Sequence, residues 1–108
     1  MSADPRVELL HLVERKAFDP VMRAKPGGKS DQEKQKLEHV QKATQAEIER
    51  YRHYRSAEEL VTNFKRDLTS EAAKKVHREL RALDLPTIED IKDEFEQRAR
   101  ELGVSGRA

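Results

Sequence analysis

The sequence predicts an all-α fold: a small bundle of four to five helices with one long member over about residues 30–55 and short connections after residue 55. Three observations carry that expectation. Apolar residues recur every three or four positions through most of the chain, which is the period of a helix face. Helix-start signals punctuate it at Asp4, Ser30, Ser56 and Thr87. No segment alternates with period two, and no Asn-Gly or Asp-Gly pair marks a hairpin.

Asp4 followed by Pro5 is an N-cap with proline at the first helical position, where its missing N–H costs nothing. The first helix is expected from about Pro5 to Ala17, with Leu9, Leu10, Val13 and Ala17 on one side and Leu12 beside them. Asp19-Pro20 repeats the cap-plus-proline pattern and is expected to open a separate short turn carrying Val21 and Met22. Residues 25–29, Lys-Pro-Gly-Gly-Lys, read as a loop.

Ser30 with Glu33 is a capping box, in which each side chain satisfies the other residue's free N–H. It opens the long helix, whose stripe is Leu37, Val40, Thr44, Ile48 and Tyr51. So narrow a seam suits either an antiparallel bundle or a self-association surface. Ser56 with Glu59 opens the third helix, with Ala57, Leu60, Val61, Phe64 and Leu68 on one face. Thr69 or Ser70 caps the fourth, whose stripe is Ala72, Ala73, Val76, Leu80 and Leu83 and which ends before Pro86. Thr87 with Asp90 opens the fifth, with Ile88, Ile91, Phe95, Ala99 and Leu102 inward. Gly103 stands where a left-handed terminal residue belongs, and Val104 is expected to fold back onto the helix. Residues 1–4 and 105–108 are expected to fray.

Composition allows a folded chain with a thin core. Of 108 residues, 40% are charged and 35% hydrophobic, yet 22 basic and 21 acidic residues leave a net charge of only +1. A disordered chain combines low hydrophobicity with high net charge, and the second condition is missing. The length predicts a single helical domain over residues 1–108. There is no apolar run long enough for a membrane span and no signal-peptide pattern, and the absence of cysteine excludes disulfides and thiol chemistry. A cytoplasmic protein is expected.

Patterns that carry chemistry are few. Gly27-Gly28-Lys29-Ser30 resembles the end of a phosphate-binding loop, but Arg23 stands where that motif needs its first glycine, and the prolines at 20 and 26 are incompatible with the strand that must precede it. Glu8-x-x-His11 has the spacing used in di-iron bundles, yet occurs once and faces away from the apolar side. His39 and His53 are separated by about 21 Å along their helix, too far to share an ion. Every acidic residue can be placed on a solvent face, a first turn or a cap, and no nucleophile elbow is present. Neither an enzyme, a metal, a cofactor nor a small-molecule ligand is expected.

Two basic clusters remain as candidate interaction residues: Arg50, Arg52 and Arg55 at the end of the long helix, interleaved with Tyr51 and Tyr54, and Lys74, Arg78 and Arg81 on the outer face of the fourth helix. The sequence reading is a non-enzymatic protein–protein interaction or regulatory domain whose partner is another protein or a second copy of itself. The alternative is a nucleic-acid-binding regulator that uses the same two basic faces. The pI near 8.0 favours the first, since dedicated nucleic-acid domains usually exceed 9.

Overall fold

The computed structural model describes residues 4–105, and among these there are helices and no strand. The expected fraying at 1–4 and 105–108 lies, apart from Asp4 and Ser105, outside the described residues.

The first helix, α1, is longer than its sequence signals suggest. It covers residues 5–23: an α-helical stretch Pro5–Val13, a widened π-helical turn Glu14–Phe18, and a further α-helical turn Asp19–Arg23. Asp4 caps it by accepting from the Arg6 N–H. The expected break after Ala17 is absent. Asp19 has helical angles (φ −59°, ψ −42°) and caps nothing. The cause is Pro20, which brings no N–H for the carbonyl four residues back and crowds it. A π turn, in which the Asp19 N–H reaches the Glu14 carbonyl five residues back, widens the coil just ahead of the proline. Phe18 and Val21 therefore lie on the same rod as Leu9 and Val13.

The long helix α2 is Asp31–Arg52, 22 residues and roughly 33 Å, opened by the full Ser30/Glu33 capping box. Its five stripe residues are all buried, as the spacing predicts. In α3, Ala57–Thr69, Ser56 accepts from the Glu59 N–H, but the Glu59 carboxylate takes the Arg55 N–H rather than that of Ser56. Ser70 ends α3 and caps α4, Glu71–Ala82, so a single residue makes that corner. Asp84 turns the chain at the end of α4 with φ 57°, while the Leu85 N–H closes back on the Leu80 carbonyl. The last helix, α5, covers residues 88–101, a 3₁₀ turn Ile88–Ile91 running into the α-helix Lys92–Glu101, and Thr87 with Asp90 forms its capping box. Gly103 takes φ 71°, and the Val104 N–H bonds to the Ala99 carbonyl at 2.8 Å, which folds the Val104 side chain into the core.

The helices bury two adjoining apolar clusters. The larger joins α1, the C-terminal half of α2, α3 and α5 around Leu9, Val13, Tyr51, Leu60, Phe64 and Phe95, each fully buried. The smaller joins the end of α1, the N-terminal half of α2 and α4 through Val21, Leu37, Val40, Leu80 and Leu83. Gln41 ties that corner by donating from Nε2 to the carbonyls of Val21 and Ala24 at 3.1 and 3.0 Å, which satisfies carbonyls at the open end of α1. No helix among the described residues is long and apolar enough to cross a membrane.

Candidate functional site

The seam between the two clusters does not close. A cleft of about 210 Å³ opens there, floored by Phe18, Val21, Leu80 and Ile88 and rimmed by Ala43, Ala73 and Val76. The sequence reading put Ala72, Ala73 and Val76 of α4 in the core. Ala72 is exposed and Ala73 half-buried, while Val76, also half-buried, packs against the smaller cluster and lines the cleft as well.

One wall of the cleft is polar and ionisable. Glu47 and Arg50 reach it from α2, Asp67 from α3, His77 from α4, with Thr44, Ser70 and Thr87 between them. Two acidic residues depart from the expectation that every carboxylate stays in solvent. Asp67 is 5% exposed and Glu14 only 9%. Both are paired with arginines. The Asp67 Oδ2 accepts from the Tyr51 hydroxyl at 2.7 Å and from Arg50 Nη2 at 2.8 Å. Glu14 accepts two hydrogen bonds from Arg52, at 3.0 and 2.9 Å. Position on the wheel explains both. Asp67 comes three residues after the core residue Phe64, and Glu14 directly follows Val13 at the widened turn, where the helix period slips.

The cluster has a definite electrostatic sense. Burial pushes the Glu47 carboxyl above the usual carboxylate range, and the neighbouring Asp67 charge adds to that rise while Arg50 opposes it. Burial also raises the Tyr51 hydroxyl, reinforced by the Asp67 charge it donates to. Burial works against the Arg50 charge, but hydrogen bonding and attraction from Glu47 and the charge of Asp67 outweigh it and hold the guanidinium firmly protonated. Its guanidinium also lies 5.7 Å from the Tyr51 ring centroid. His77 is 6% exposed, and burial draws its imidazole toward the neutral form against the pull of Glu89. Its Nδ1 sits 3.3 Å from Glu89 Oε1, and the two form an ion pair when the imidazole is protonated.

The structure separates the residues of the first basic cluster. Arg50 turns to α3 and Arg52 to Glu14 of α1, while Arg55 is exposed beyond the end of α2. Of the second, Lys74 is half-buried, Arg78 is exposed, and Arg81 pairs with Glu89 at 3.0 Å. Glu8 of the Glu-x-x-His pattern is bound to Arg98 at 2.6 Å while His11 is exposed, and His39 faces Glu79 at 3.4 Å. Among the described residues no three His, Asp or Glu side chains gather where they could hold a metal ion.

No protein-family model, curated protein or solved structure matches this chain. What the cleft can hold follows from its own side chains. Sequence reasoning placed Glu47 and Asp67 on solvent faces because each is one polar residue among many on a helix. The available signal was that Tyr51, an inward residue with a hydroxyl, needs a buried acceptor.

Proposed function

We propose that the chain is a small non-enzymatic interaction domain that receives a side chain of a partner protein in the cleft between α2 and α4. The observation that carries this reading is the cleft itself: at about 210 Å³ it is smaller than the roughly 300–1,000 Å³ of pockets that enclose small-molecule ligands. An apolar floor with a few convergent polar groups is instead the setting in which a single anchor residue of a protein partner binds. The acid pair supports a binding rather than a catalytic role, since Glu47 and Asp67 both hold Arg50 and Asp67 also accepts from Tyr51. Nucleic acid is the weaker partner class because three of the six candidate cations, Arg50, Arg52 and Arg81, are bound to carboxylates of the same chain. The reading places the protein in the cytoplasm, in keeping with a chain that contains no cysteine.

The test is co-purification with tagged wild-type chain and with two variants. Val76→Glu puts a charge on the cleft rim, and Lys75→Glu changes charge on an exposed neighbour outside the cleft lining. A partner retained by wild type and Lys75→Glu but lost from Val76→Glu is the expected result. Equal retention by all three contradicts the reading. A shift of random DNA at low salt that vanishes at moderate salt would replace it with the nucleic-acid alternative.

A further inference from the structure

We propose that the anchor received by the cleft is a lysine side chain, its ammonium held by Glu47 and Asp67 and its methylenes laid along Phe18, Val76 and Leu80. The inference rests on the interaction reading above and specifies the chemistry of the partner.

Charge is the first argument. The lining carries two carboxylates, Glu47 and Asp67, against one guanidinium, Arg50, so one negative charge is in excess when all three are ionised. A monocation balances it in a half-enclosed site, where such pairing is stronger than in open water.

Geometry selects lysine over arginine. Arg50 and Tyr51 converge on Oδ2 of Asp67, and Arg50 takes Oε1 of Glu47. Each carboxylate thereby has one oxygen outside these bonds, and the two oxygens belong to different side chains. The planar fork of a guanidinium is matched to both oxygens of one carboxylate, whereas an ammonium directs three donors to separate acceptors. His77 lines the same cleft, but its Nδ1 faces Glu89 at 3.3 Å, outside the lining, so the two carboxylates alone hold the ammonium. The floor then suits the rest of the residue, because a lysine stem packs readily along apolar surface.

The experiment is a methyl-resonance NMR titration of the folded chain, following Val21, Val76, Leu80 and Ile88. Three probes are used: Nα-acetyl-lysine N-methylamide, the same compound with 6-hydroxynorleucine in place of lysine, and n-hexylammonium. The lysine compound is expected to move these methyls and to bind at least about tenfold more tightly than the hydroxyl isostere, the ratio that a charge-assisted hydrogen bond supplies. Glu47→Gln is expected to bring the two to the same affinity. Equal binding of both compounds by the wild type overturns the lysine assignment and leaves the interaction reading standing. Binding of n-hexylammonium without the lysine compound overturns it in favour of a free small amine. If no probe moves the cleft methyls, both the assignment and the cleft as the binding surface are overturned.

Discussion

Asp67→Ala is expected to lower the unfolding free energy by about 1–3 kcal/mol, the usual cost of leaving a buried donor, here the Tyr51 hydroxyl, without its acceptor. The residue is 5% exposed and holds two donors from α2 on a single oxygen, the Tyr51 hydroxyl and Arg50. Removing it leaves a fully buried hydroxyl without an acceptor and a partly buried guanidinium with only Glu47. It also cuts the polar tie between α2 and α3. Asp67→Asn separates the two contributions. The amide oxygen can still accept from Tyr51, so only the charge is lost and the decrease should be clearly smaller. Urea denaturation of the three proteins measures this directly. A loss below about 1 kcal/mol for Asp67→Ala would mean that Tyr51 and Arg50 find other partners and that this acid does not organise the wall.

Phe64→Ala is expected to cost more, about 3–5 kcal/mol, and for a different reason. Phe64 is fully buried, and its ring stacks on Phe95 with centroids 3.8 Å apart and planes 17° from parallel. That contact joins α3 to α5 at the centre of the larger cluster. Deleting the ring removes apolar surface and leaves a void that a close-packed interior fills poorly. Small domains have total stabilities of only about 5–15 kcal/mol, so either substitution consumes a large part of the margin. A change under about 1 kcal/mol would place Phe64 outside the core and the orientation of α3 in error.

The parts of the fold that could be read from sequence were those set by local chemistry. Capping side chains at Asp4, Ser30, Ser56 and Thr87 start helices where expected, because the bonds they make are to backbone within three residues. Gly103 and Val104 end α5 as expected for the same reason. The stripes of α2, α3 and α5 face inward because their period leaves a single apolar side. Readings failed where two local rules competed or where a partner was distant in sequence. Proline after Asp19 signals a helix start and, equally, a disturbed helix interior, and the second held once Phe18 and Val21 could be buried on one continuous rod. The α4 stripe is amphipathic whether its apolar side meets a core or lines a cleft, so the pattern at Ala72, Ala73 and Val76 could not distinguish the two. The acid wall depends on contacts between residues 16 and 17 positions apart, which no single-helix wheel displays.

The basic clusters illustrate the same limit. Arginines at 50, 52 and 55 are close in sequence, but successive helical residues turn by about 100°, so neighbouring side chains face different partners. Arg50 serves the cleft wall, and Arg52 fastens the end of α2 to the widened turn of α1 through Glu14.

Binding in the cleft requires that it be open, with Ala73 and Val76 of α4 covered neither by the rest of the chain nor by a second copy. Broadening of methyl resonances by a soluble, uncharged gadolinium chelate measures this most directly. Ala73 and Val76, half-buried on the cleft rim, should broaden strongly, while Leu9 and Val40, fully buried in the two clusters, should stay sharp. Equal protection of all four methyls at the lowest usable concentration would show the cleft closed and contradict the account.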